Sequence, residues 1–124
     1  MNKYFFYGLI LYLLAYPNIS SIAQNDEFNP AEIEVSYFEN PAVQNGLESM
    51  GTDGNLYKIV NTDTVKGFFI QKGGEWLRHG ACYIFNGGDI EIKSIYAFGE
   101  KDGLYEKYLY QSGGKVIYRR YYKN

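Results

Sequence analysis

The chain has 124 residues, a net charge of −2 at pH 7, one cysteine and one histidine. A lone cysteine excludes an intrachain disulfide framework, and a lone histidine excludes a multi-histidine metal site. The length suits one domain, which must hold itself together by burial and is large enough for one modest core.

The chain opens with Met1-Asn2-Lys3, followed by an uninterrupted apolar run from Tyr4 to Tyr16. Pro17 and Asn18 break any helix, and Ser21-Ile22-Ala23 places small residues where a signal peptidase reads. This is the three-part layout of a cleavable secretory signal over residues 1–23, with cleavage after Ala23. The apolar run falls well short of the roughly 20 residues a bilayer-spanning helix needs. No cysteine follows the small residues to carry a lipid anchor. The expected location is therefore outside the cytoplasm: periplasm, cell envelope or extracellular space.

Residues 24–31 read as a flexible, polar linker, and residues 32–66 as an acidic N-terminal β segment. Within the latter, Ile33-Glu34-Val35-Ser36-Tyr37-Phe38 alternates as a half-buried strand does, and Asn40-Pro41 ends it. The glycine-containing stretch 44–55 reads as the least ordered part of the middle of the chain. Leu56-Tyr57-Lys58-Ile59-Val60 and residues 65–70 read as two strands joined by the turn Asn61-Thr62-Asp63-Thr64.

Residues 67–124 are self-similar. Arg78-His79-Gly80 and Lys101-Asp102-Gly103 each read as a polar turn closed by glycine. An aromatic strand follows each, Ala81-Cys82-Tyr83-Ile84-Phe85 and Leu104-Tyr105-Glu106-Lys107-Tyr108-Leu109-Tyr110. Each strand runs into a double glycine, Gly87-Gly88 or Gly113-Gly114, and then a second strand, 89–96 or 115–122. The first copy closes at Tyr96-Ala97-Phe98-Gly99, the second at Tyr121-Tyr122-Lys123-Asn124, and a degraded earlier copy runs from Phe68 to Gly80. Glycine supplies the positive φ of tight turns, and aromatic residues bury large areas between paired strands. The expected fold is all-β: an elongated single-layer array of antiparallel β-hairpins, each covering its neighbour's apolar face.

The motifs Lys101-Asp102-Gly103-Leu104-Tyr105 with Gly113-Gly114, and Arg78-His79-Gly80 with Gly87-Gly88 and Gly99, resemble the MORN repeat in its bacterial variant form. That resemblance implies an extended hairpin array used for protein contact or membrane-lipid contact, with no catalytic residues and no cofactor. Some bacterial relatives carry an antitoxin label, which the export signal argues against transferring.

Residues that could carry chemistry have simpler readings. His79 takes the turn position that Asp102 holds in the next copy, so it reads as solvent-exposed, and Cys82 as a small buried hydrophobe. Asp89/Glu91 and Glu100/Asp102 are carboxylate pairs, but a single-layer array offers no concave pocket for hydrolysis. No calcium-loop spacing and no strand-to-helix phosphate loop occurs. Neither catalytic, nor metal, nor cofactor residues are expected.

Charge is divided along the chain. Asp26, Glu27, Glu32, Glu34, Glu39, Glu48, Asp53 and Asp63 face only Lys58 between residues 24 and 63, about −7. Ten Lys or Arg face six acids from residue 64 on, about +4. The two halves could simply pack together, or the basic half could meet an anionic partner. The basic aromatic tail 115–123 protects an edge strand, and export argues against nucleic acid. Tyr and Arg dominate interface hot spots, so Tyr105, Tyr108, Arg119 and Arg120 form the expected interaction face. The expected function is a non-enzymatic, exported module for a protein partner. Binding of a membrane lipid or glycan through the +4 half is the alternative. Pairing of the last strand with another chain stays open, as does the oligomeric state.

Overall fold

The computed structural model describes residues 28–109 and 115–123. The expected signal (1–23), half of the expected linker (24–27), and the Gly113-Gly114 turn lie outside the described residues. Among the described residues nine strands form one antiparallel sheet: β1 (Glu48–Met50), β2 (Leu56–Asn61), β3 (Val65–Lys72), β4 (Glu75–Arg78), β5 (Gly80–Asn86), β6 (Asp89–Ala97), β7 (Glu100–Lys101), β8 (Gly103–Leu109) and β9 (Lys115–Tyr122). The order is β1-β2-β3-β5-β6-β8-β9, with β4 paired to β3 and β7 to β6. No α-helix occurs among the described residues, so the all-β class holds.

Three of the described reversals use two-residue loops with positive φ at both positions: Gly73-Gly74 (58° and 83°), Gly87-Gly88 (63° and 93°) and Phe98-Gly99 (49° and 93°). Such loops match the right-handed twist of the strands they join. The motifs at Gly80 and Gly103 are not turns. Arg78-His79-Gly80 and Lys101-Asp102-Gly103 are bulges inside continuous strands, β4 into β5 and β7 into β8. At each bulge the middle residue still donates its N–H to the neighbouring strand, His79 to Phe68 O (3.1 Å) and Asp102 to Ile95 O (2.9 Å). A positive-φ glycine serves a bulge as well as a turn, which is why sequence alone merges the two. Between Arg78↔Phe69 and Tyr83↔Lys66, β4–β5 advances five residues against three on β3. An even surplus leaves the side-chain alternation in phase, so Leu77, Ala81 and Tyr83 stay on one face.

That face carries the core. Tyr57, Ile59, Phe68, Ile70, Ala81 and Tyr83 project from the sheet and are covered by Phe28, Phe38 and Val43 of the N-terminal segment. Three expectations change here. Residues 33–38 are not a strand: Pro30–Glu32 and Val35–Glu39 are short 3₁₀ turns lying across the sheet. The sheet's side chains satisfy this segment's backbone instead of a neighbouring strand. Tyr83 OH donates to Ile33 O (2.7 Å), and Asn61 Nδ2 donates to Phe38 O (2.9 Å) and Val43 O (2.7 Å). Second, residues 28–31 are packed rather than linker-like. Phe28 is 3% exposed, edge-on to Tyr57 and Phe68, and its N–H reaches Thr52 Oγ1 at 2.7 Å. Third, the stretch 44–55 contains β1, held on β2 through Ser49↔Tyr57. The compositional boundary between residues 66 and 67 falls inside β3, so both halves share one sheet.

Candidate interaction surface

Opposite the core, the sheet presents a face that no described element covers. The pairing register places Lys58, Phe69, Trp76, Arg78, Tyr96, Lys101, Tyr105, Lys107, Tyr118, Arg120 and Tyr122 on it. Cations and rings interlock across the strands. Lys58 Nζ lies 4.4 Å from the Trp76 ring centroid, and the Arg78 guanidinium 5.7 Å from Tyr96. Lys101 Nζ sits between Tyr105 (4.5 Å) and Tyr122 (5.2 Å), and Arg120 lies 4.9 Å from Tyr122. Tyr105 meets Tyr118 and Tyr122 edge to face, at 5.9 and 6.1 Å. Each ring holds a long cation in one orientation without neutralising it, which lowers the entropy cost of presenting that charge. Acids are scarce on this side: the register puts Glu48 on edge strand β1 and Asp89 beside the Gly87-Gly88 turn.

The four residues expected as one interaction face divide between two. Tyr105 and Arg120 are cross-strand partners on the uncovered face. Tyr108 and Arg119 lie on the core face, where both engage Glu106. Arg119 grips Glu106 Oε2 through Nε (2.9 Å) and Nη2 (2.7 Å), while Tyr108 OH donates to Oε1 (3.0 Å). Burial pushes the Glu106 carboxyl up. The hydrogen bonds from Arg119 and Tyr108 and the charges of Arg119 and Lys93 outweigh it, so the group stays below the ordinary carboxylate range. This cluster carries on from the core where the N-terminal cover ends, and its polar groups are matched to one another. The split was legible: Tyr105 and Tyr108 are an odd number of residues apart, and Arg119 and Arg120 are adjacent, so neither pair can share a strand face. Trp76, Arg78, Tyr96 and Lys101 went unread because cross-strand neighbours are set by register, which the bulges shift.

His79 is half-buried and holds structure rather than standing in solvent as a turn residue. Its Nδ1 accepts the Phe98 N–H (3.1 Å), its ring lies 4.5 Å from Phe98, and Gly99 N–H bonds Arg78 O (2.8 Å). The Phe98-Gly99 loop is thereby clasped to the bulge. Burial lowers the His79 pKa, against the pull of Asp53. Asp53, Tyr57, His79 and Glu32 line an open cleft of about 450 Å³. Tyr57 OH donates to Asp53 Oδ2 at 2.6 Å. Burial raises Asp53, but the Tyr57 and Asn55 hydrogen bonds prevail and hold it below its ordinary value.

Cys82 lies beneath Arg78, whose Nη1 approaches Sγ at 3.1 Å, and burial pushes the thiol up, partly offset by Arg78. Directly across the strand, Ser94 Oγ is buried and has no hydrogen-bond partner among the described residues. Among the described residues no group of three or more His, Cys, Asp or Glu is placed to hold a metal ion. No helix there is long and apolar enough to cross a membrane. No known family, curated protein or solved structure matches the chain.

Proposed function

We propose that this protein is an exported, non-enzymatic binding module that holds a protein partner on the uncovered face of its sheet. The observation that carries the reading is the row of ring-held cations from Arg78 through Lys101 to Arg120, on a face with acids only at its margins. Aromatic and arginine side chains supply the contact area and fixed charge that interface hot spots use. A MORN-like hairpin array is the architecture we assign to residues 67–124. Support for it comes from the equivalent bulges at His79-Gly80 and Asp102-Gly103, and from the successive two-residue loops between strands.

The test separates the two faces. Bait protein is used to capture partners from the envelope fraction of the native cells. The pair Tyr105→Ala/Arg120→Ala is expected to lose the captured protein. The pair Tyr108→Ala/Arg119→Ala is expected to keep it while lowering stability through Glu106. Binding that survives the first pair and fails with the second reverses the assignment. The unpaired cations favour one second reading, attachment to an anionic lipid or glycan. That reading is adopted if the eluate contains no protein and is released by moderate salt.

A further inference from the structure

We infer that the partner held on the uncovered face is a second copy of this chain, docked through the acidic layer that covers its core. The inference rests on the binding-module reading above and names its partner. Between residues 28 and 57 the sequence has no Lys, Arg or His, while Glu32, Glu34, Glu39 and Asp53 are all exposed. This layer lies over the core face of β2, β3 and β5, on the side of the sheet away from Lys101 and Arg120. Each molecule therefore carries a basic aromatic front and an acidic back. The layer itself carries no cation, and Lys66 and Lys93 reach only its margins from the sheet. It offers carboxylates to side chains whose own ring partners leave their charge unneutralised.

The two surfaces cannot meet within one molecule, because the sheet separates them. A two-fold dimer would set front against front and bring like charges together. Front against back is the attractive arrangement, and it is heterologous, so assembly runs head to tail and closes only if a rotation happens to complete a ring. Contacts between exposed charges are screened by salt, so the assembly forms at low ionic strength and loosens as salt rises.

The experiment is analytical ultracentrifugation of the full exported chain at about 10 mM and about 1 M salt, where the Debye length is roughly 30 Å and 3 Å. Two variants accompany it. Lys101→Glu/Arg120→Glu makes the β7–β9 end of the front, where the proposed contact lies, acidic, and Glu32→Lys/Glu34→Lys/Glu39→Lys makes the back basic. All five positions are at least partly exposed, and circular dichroism and the urea midpoint establish that each variant is folded. Wild-type protein is expected to gain mass with concentration at low salt and to lose it at high salt. Each variant alone is expected to self-associate at least tenfold more weakly, because both of its surfaces then carry one sign. Mixing the two variants restores association, since each front again meets an opposite back.

A wild-type monomer at every concentration overturns the inference, as does a mixture that stays monomeric. If that happens while Tyr105→Ala/Arg120→Ala still abolishes capture of another protein, the binding-module reading survives alone. If capture is also unaffected, both readings fall.

Discussion

A side chain at position 80 would have nowhere to go. Gly80 has φ of +93°, and a Cβ built on it lies 2.5 Å from Pro30 Cβ and 2.8 Å from the Pro30 carbonyl. Gly88 has the same φ, and nothing lies within 4 Å of its would-be Cβ. Comparing the two separates backbone strain from steric conflict. Gly88→Ala is expected to cost about 1 kcal/mol from the left-handed conformation alone. Gly80→Ala is expected to cost about 2–4 kcal/mol, because the overlap with Pro30 adds to that strain. Urea denaturation of the two variants measures the difference, and equal losses would remove Pro30 from the account. The need for glycine at both positions is visible in the sequence. The reason at position 80 is not, since Pro30 arrives from fifty residues away.

At the scale of elements, the N-terminal cover does what neighbouring hairpins were expected to do for one another. Phe38 is 4% exposed and packs against Tyr37, Phe68 and Tyr83. Phe38→Ala is expected to cost about 3–5 kcal/mol, the usual range for emptying a buried aromatic site. Amides of Val35–Glu39 should lose hydrogen-exchange protection before those of β5 and β6 do, because the cover is held by side chains and the strands by their ladder. Simultaneous loss in both would mean that cover and sheet open as one unit. The alternation of residues 33–38 fits a strand, and nothing local opposes that reading. The hydrogen bonds offered by Tyr83 and Asn61, together with the segment's own turn bonds, let this backbone leave the sheet and lie across it. The β2–β3 hairpin was legible, because its turn is closed locally by Thr62, whose N–H meets Val65 O at 2.9 Å.

Across the whole molecule, acid should weaken the fold in two steps with different owners. The folded chain depresses the His79 pKa, chiefly by burial, so it binds fewer protons there than the unfolded chain does. Stability from this source is complete above the ordinary histidine value near 6.5 and is lost as pH falls below it. Asp53 and Glu106 are also depressed, so their contribution is complete above the ordinary carboxylate values near 4 and lost at lower pH. Urea midpoints at about pH 7.5 and 5.5 isolate the histidine step. Wild type should be less stable at the lower pH, and His79→Gln should show little change between them. A wild-type midpoint that is flat over this range would mean that His79 is not kept neutral by the fold.

From the sequence alone came the all-β class, the β2–β3 hairpin, the positions of the special glycines and a division of charge between the halves. Each of these is written in local composition, in period-two alternation, or in residues that only a positive φ tolerates. The tertiary structure decided which strand face is open and which residues of different strands share it. Register depends on bulges whose surplus residues cannot be counted before the pairing is known, and cover depends on side chains that reach across the sheet. Hence Tyr105 and Arg120 stand with Lys101 on the open side, while Tyr108 and Arg119 turn inward to Glu106.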